Sequence, residues 1–371
     1  MGHPSARDLF LTYLRSSGLK KLNNNQINVQ SSKFINALRS KDITSRFVIH
    51  IEGLNAEKPF SLSRNIKLRP LTKRDIKEYG MDSRFSSMNT SSEWLRESAW
   101  LCVVKIRSKK EIATQVWSNS DKTEISLISA LRLANPQAIM RYRLICKDCP
   151  DPYLGIFRMS SSQSKPRYQI SSDPKTSVYS EENIRLSRKL YKEITSLPKL
   201  VSQKSGNLHY ALRKFSKALE REDIEDEIVD IATGLESLLC GDSQSEISYR
   251  FKVRGAAVLD IRFGDAAARI ALFSDIYSAR SDVVHGNVKN KKLNYKKTVG
   301  LPTDERLMLL LPDARNAFSN ILVWFLLNTE AKRMRVNTSK HESIYSFLDS
   351  ELAVCKGILI LPCINGQSVK R

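Results

Sequence analysis

Between residues 208 and 333 apolar side chains return every three or four positions, the spacing of helices with one buried face. Leu208, Ala211, Leu212, Phe215, Ala218 and Leu219 fall on one face of a first helix. Asp223 stands where it can cap a second, whose Ile224, Ile228, Ile231, Leu235 and Leu238 make an unbroken stripe ending near Gly241. A third helix from Glu246 turns Ile247, Phe251, Val258 and Ile261 inward, and a fourth runs from Asp265 through Leu272, Phe273 and Ile276. Helical pattern resumes at Thr303 and, past Pro312, continues from Asp313 to about Arg333. Four or five helices with short connections predict an antiparallel bundle over 206–334.

The first half is patterned differently. Phe47–Ile51, Trp100–Ile106, Met140–Ile145 and Tyr153–Phe157 are short apolar runs rich in β-branched and aromatic residues, and read as strands. Ile125–Leu133 has helical spacing and stops before Asn135-Pro136. The expected fold class is therefore α+β: a mixed α/β domain over 45–160, then the all-α bundle. Residues 1–44 read as a polar extension with a short helix at Arg7–Leu14. The Ser-, Pro- and Lys-rich stretch after Met159 reads as a linker over 161–205, with a short helix at Glu181–Leu197. Residues 335–371 read as a tail.

Charge changes the picture more than composition does. The 371 residues carry 60 Lys+Arg against 39 Asp+Glu, a net charge of +21, and residues 1–200 hold 35 of those cations against 18 anions. An excess of that size suggests a polyanionic partner, nucleic acid being the commonest. The start of the chain lacks the apolar core of a signal peptide, and the longest apolar run, Ile321–Leu327, is seven residues, so the chain reads as soluble and cytoplasmic. Six scattered cysteines read as reduced thiols, several of them in apolar runs. Cys146-Lys-Asp-Cys149 has metal-ligand spacing, yet no second pair or nearby His completes a four-ligand set, and neither metal nor cofactor is implied. No Gly-rich phosphate loop or Ser-His-Asp arrangement points to an NTPase or hydrolase of those kinds.

The candidate chemistry sits at the end of the fourth helix, in Tyr277-Ser-Ala-Arg280-Ser281-Asp282-Val-Val-His285-Gly286. Arg280 can hold a phosphate through its planar fork of donors, and an imidazole such as that of His285 exchanges protons near neutrality. Lys289, Lys291, Lys292, Lys296 and Lys297 follow around Tyr295, a pattern for tracking phosphates beside a stacking ring or for an ordinary solvated loop. An Arg followed by a His four to six positions later arises by chance about once in a chain of this composition. It occurs here twice, and Arg335–His341 lies in a polar stretch with no apolar stripe to hold it. For Arg280 the competing reading is a cation at a helix C-terminus, stabilised by the helix dipole.

The surrounding segments add specificity. Glu220-Arg-Glu-Asp223, Thr233-Gly-Leu-Glu236-Ser-Leu-Leu239, Ser248-Tyr-Arg250-Phe-Lys-Val-Arg254-Gly-Ala256 and Ile276-Tyr277 through His285-Gly286 stand in one order. That order and approximate spacing resemble the ApeA-like group of the HEPN superfamily, over residues 206–332. The resemblance implies a helical bundle that dimerises so that two Arg/His motifs face one cleft. It also implies a metal-independent endoribonuclease leaving 2′,3′-cyclic phosphate ends, acting in anti-phage defence and set off by a phage-derived trigger. Arg280 and His285 would be catalytic, with Asp282 or Ser281 orienting one of them and the N-terminal domain sensing the trigger or positioning RNA. Tyr277 is a stacking candidate, with packing in the bundle as its preferred role. Glu236, Arg250 and Arg254 read as a supporting ion network. The alternative is a non-catalytic RNA-binding scaffold on the same fold. A toxin restrained by modification is disfavoured, because that pattern needs a tyrosine where Asn287 stands.

Geometry adds a constraint. Residues five apart on a continuous helix point about 140° away from each other. Arg280 and His285 share a face only if the helix ends between them; otherwise a second copy must complete the site.

Overall fold

Val, Ile, Phe and Trp crowd two stretches of the N-terminal half, and in the computed structural model each lies in an eleven-residue strand. Residues 24–39, 42–78, 99–109, 113–138, 140–148, 178–197, 206–240, 246–259, 261–286, 291–296, 300–336 and 344–349 are described. The chain divides into two units, Met1–Ile125 with Met140–Ser164, and Ser126–Ile139 with Lys165–Arg371. The expected domain over 45–160 thus spans parts of both units, since Ser126–Ile139 is grouped with the helices.

The first unit holds α1 (Asn24–Arg39) and a five-stranded antiparallel sheet. Its strands are β1 (Asp42–Glu52), β2 (Phe60–Ser63), β3 (Ile66–Pro70), β4 (Ala99–Lys109) and β5 (Arg141–Asp148), in the order β2-β3-β4-β1-β5. Phe47 to Ile51 are buried without alternation, which marks β1, an interior strand between β4 and β5, as covered on both faces. It pairs with β4 from Asp42↔Lys109 to Glu52↔Ala99. In β3, Ile66 and Leu68 point inward and Lys67 outward, and the chain then turns into α2 (Lys73–Glu78). That turn is closed by Asp75, which accepts from the Thr72 N–H at 2.9 Å and from both ends of the Arg69 fork at 2.5 and 2.6 Å. The Arg69 guanidinium holds the Asp75 carboxyl down at about 2. The strand expected at Tyr153–Phe157 and the helix at Arg7–Leu14 lie outside the described residues.

The second unit is helical. It takes the C-terminal turns of α3 (Ala113–Ala134) and adds α4 (Glu181–Ser196), α5 (Gly206–Ala218), α6 (Ile224–Leu239), α7 (Ile247–Val258), α8 (Ala266–Val284), α9 (Thr303–Leu327), α10 (Thr329–Val336) and α11 (Ile344–Asp349). One continuous apolar core runs through it. The stripe Ile228, Ile231, Leu235 and Leu238 makes α6 the central helix, packed against α5, α7, α8 and α9. Two glycines set how closely its neighbours approach. A Cβ on Gly234 would meet the Phe318 ring at 2.3 Å, and one on Gly255 would meet the Phe273 ring at 2.6 Å. Gly255 therefore lets α7 lie directly on α8, the helix that carries Arg280.

The structure refines three expectations from the sequence. Asp223 occupies the N-cap of α6, but its side chain makes no capping hydrogen bond. Pro312 does not divide α9, which runs unbroken from Thr303 to Leu327 and ends at Asn328. A proline ring removes one donor, the one that would reach the Met308 carbonyl a turn earlier; the Leu309 carbonyl beside it accepts from Tyr295 Oη and Lys296 Nζ, both at 3.3 Å. The tail is also not wholly separate. On α11, Leu348 is buried and Asp349 binds Arg254 through two hydrogen bonds of 2.6 and 2.7 Å.

The α7–α8 approach makes a prediction. Gly255→Ala should lower stability by about 1–3 kcal/mol through overpacking against Phe273, read as an earlier urea midpoint; an unchanged midpoint would contradict so close an approach.

Candidate functional site

The geometry of the site follows from how α8 starts and stops. Asp265 caps its first turn, its carboxylate accepting from the Ala268 N–H at 2.8 Å. Its last turn ends on His285, whose N–H donates to the Ser281 carbonyl at 3.1 Å. Gly286 then enters the left-handed region at φ +63°, a conformation that glycine adopts without a Cβ clash, and stops the helix. Helical hydrogen bonding therefore continues past Arg280 to His285, and the two residues stay about 140° apart around the axis. A single chain does not bring them onto one face.

Arg280 is half-buried, its Nε is buried without a hydrogen-bond partner, and none of the described residues pairs with its guanidinium. His285 is exposed, and its ring has no partner among the described residues. Ser274, Ser281 and Val284 fill the strip of helix between them, and Val284 is 53 % exposed.

Asp282 turns away from both. It is 6 % exposed and accepts from Lys291 Nζ and from Arg306 Nη1, the latter at 2.8 Å. Burial pushes its carboxyl up, but these two cations outweigh burial and hold it below the usual range. Two turns earlier Asp275, also buried, accepts from Asn294 Nδ2 at 2.7 Å and the Tyr295 N–H at 3.1 Å. Burial keeps this carboxyl above its ordinary value despite the hydrogen bonds. The two carboxylates clamp the segment after the motif onto α8, and the Lys291↔Leu301 bridge closes its base.

The lysine loop is thus occupied largely with its own fold. Lys291 pairs with Asp282; Lys296 pairs with Asp313 at 2.8 Å and lies over the Tyr295 ring. Tyr295 Oη donates to Asp313 Oδ2 at 2.7 Å, and burial beside that carboxylate pushes its phenol up. Lys292 is exposed, while Lys289 and Lys297 lie outside the described residues. Tyr277 packs its ring against Phe251, 5.6 Å between centroids. The expected ion network forms with other partners. Arg254 is fully buried and taken by Asp349 and the Leu239 carbonyl, Arg250 stands 3.8 Å from Glu246, and Glu236 has no side-chain partner among the described residues. Arg335 belongs to α10, and His341 lies outside the described residues.

Reading the sequence missed Arg306 and Asp275, although each interrupts an apolar stripe. It also missed α4. With Ile184, Ser187, Leu190 and Ile194 buried, that helix presents Arg185, Arg188, Lys189 and Lys192 on its opposite face, at i, i+3, i+4 and i+7. Cys102 and Cys240 are buried thiols outside any disulfide, and no group of three His, Cys, Asp or Glu among the described residues is placed to hold a metal ion. No helix among them is long and apolar enough to cross a membrane. No protein-family model, curated protein or solved structure matches the chain.

Removing the Asp282 carboxylate leaves the buried Arg306 charge uncompensated, so Asp282→Ala should cost about 3–5 kcal/mol. Because that carboxyl titrates below its unfolded value, its contribution is full above about pH 4 and is lost as the pH falls further. Urea titrations should therefore show wild-type stability falling in acid more steeply than that of Asp282→Ala. Parallel profiles would contradict this role.

Proposed function

We propose that the helical unit is a HEPN-type ribonuclease domain in which two copies of the chain complete each site. The observation that carries the reading is the arrangement on α8: an unpaired guanidinium and an exposed imidazole on either side of a strip bearing Ser281 and the exposed Val284. A second α8 laid across that strip about a twofold axis would bring Arg280 of one copy toward His285 of the other. The motif order that resembles the ApeA-like group supports the same arrangement.

In such a site His285 takes the proton of an RNA 2′-hydroxyl as its oxygen attacks the adjacent phosphorus. Arg280 stabilises the negative charge that builds on the phosphorane oxygens. The bond to the 5′-oxygen breaks, that oxygen takes up a proton, and a 2′,3′-cyclic phosphate remains. These steps use no metal. Ser281 lies on the strip where it can contact either group, whereas Asp282 acts at one remove by fixing Lys291 and Arg306. The basic face of α4 and the cation excess of residues 1–200 would draw RNA in. The N-terminal unit is proposed to sense a phage-derived trigger or position RNA, in an anti-phage role.

The second reading is a non-catalytic RNA-binding scaffold, favoured by the divergence of Arg280 and His285 within one chain. Incubation with a mixed RNA pool in EDTA separates the two. Wild type should leave 2′,3′-cyclic ends, and Arg280→Ala and His285→Ala should each cleave at least ~10²-fold more slowly. Equal cleavage by the variants would assign the activity elsewhere. Val284→Glu should turn a dimer into a monomer in sedimentation and lower cleavage with it; a wild-type monomer that cleaves RNA would overturn the two-copy site.

A further inference from the structure

A second constellation lies away from the Arg280 and His285 side chains. A cavity of about 500 Å³ opens between α9, the 3₁₀ turn Ile261–Phe263, α8 and the loop at Tyr295. That volume falls within the range of small-ligand pockets. We infer that it binds a purine nucleobase, an inference that goes beyond the ribonuclease reading and does not depend on it.

One wall is built by α9. Asp313, Asn316 and Asn320 line the cavity at i, i+3 and i+7, one polar stripe on a helix whose Leu310, Ala314, Ala317 and Phe318 are buried. Asp and Asn are poor helix formers, so three in mid-helix at that spacing is a pattern that packing alone does not ask for. Their hydrogen-bonding capacity is only partly used. Asn320 Nδ2 donates to the Asn316 carbonyl at 2.8 Å, which leaves its Oδ1. Asp313 Oδ2 takes Tyr295 and Lys296, which leaves Oδ1. The Asn316 carboxamide has no partner among the described residues.

The remaining walls are flat or apolar. Phe263 and Tyr295 supply rings and Leu272 an aliphatic surface. The Tyr295 ring is held at both ends, by its hydroxyl on Asp313 and its backbone N–H on Asp275. A nucleobase presents this combination in complement, with π faces for the rings and a polar edge for the carboxamides and carboxylate. The surplus of acceptors, Asp313 Oδ1 and Asn320 Oδ1, favours a base carrying amino and ring N–H donors, hence a purine, guanine above adenine. A bare phosphate is disfavoured by the Asp313 carboxylate. Arg262, the exposed cation of the lining, suits the phosphate attached to such a base.

The base can belong to a free nucleotide or to an unpaired position in RNA. Calorimetric titration of GMP, AMP, CMP, UMP and a purine-containing RNA hexamer into the full-length Arg280→Ala protein separates these sources and keeps the RNA intact. Binding is thereby scored without cleavage, so a failure of the ribonuclease reading does not disturb the result. The expected outcome is purine binding at least tenfold tighter than pyrimidine. Binding should fall tenfold or more in Asn316→Leu and Asn320→Leu, with their unfolding midpoints unchanged. Asn316→Asp, which keeps the side-chain shape and removes the donor, is the second variant should leucine disturb α9. Mononucleotide binding identifies a free ligand, and binding of the hexamer alone, lost in the same variants, identifies an RNA subsite. No binding of either, no purine preference, or affinities untouched by all three substitutions would overturn the inference.

Discussion

The Asp282 carboxylate is a buried anion shared between two cations on different segments, Lys291 in the loop and Arg306 on α9. Among the described residues it is the only hydrogen-bonding partner of the Arg306 side chain, which is 2 % exposed. A charge so far from water needs its counter-charge in place, which makes the contact of α8 with α9 and the loop a single electrostatic unit. Asp275, two turns back on the same helix, extends the clamp to Asn294 and Tyr295. The end of the motif helix is thereby fixed in position, and Lys291 is committed to holding it there.

That commitment moves the expected RNA contacts. Lys291, Lys296 and Tyr295 are structural in a single chain, so a basic surface for phosphates is better sought on the outward face of α4. It also makes the divergence of Arg280 and His285 a property of the fold, since α8 is anchored on both sides of the motif and stops only at Gly286. Under the proposed function, the helix that keeps the two groups apart in one chain is what makes them complementary between two. Val284, apolar and exposed on the strip between them, is where such a contact would exclude water.

Much of the helical half was legible because each helix carries one stripe that no other segment interrupts; α5 to α8 begin and end close to where their apolar spacing does. Pro312 sits inside α9 without dividing it, where Leu310, Leu311 and Ala314 on either side are buried and hold the helix across it. Helix α1 was not legible: its sequence is Asn- and Ser-rich, residue types that disfavour helix interiors, and it fell within the polar extension. Within the site, the Arg280–His285 pair was visible as a local spacing. The partners of Asp282 lie 9 and 24 positions away, and that of Arg254 lies 95 away in the tail. Ion pairs at such separations are set by packing, which pattern alone does not encode. The Asp313, Asn316 and Asn320 stripe, by contrast, stood in plain helical spacing.

The central claim, that Arg280 of one copy works with His285 of another, is tested most directly by complementation. Arg280→Ala and His285→Ala, inactive apart, would be co-expressed under separate affinity tags and assayed on RNA as a mixed population. Half of randomly paired dimers then carry one variant of each kind, and in each of those a single site keeps both native groups. The account predicts recovery of about a quarter of wild-type cleavage, confined to the doubly tagged fraction. A mixed population as inactive as either variant alone would contradict a site shared between two chains.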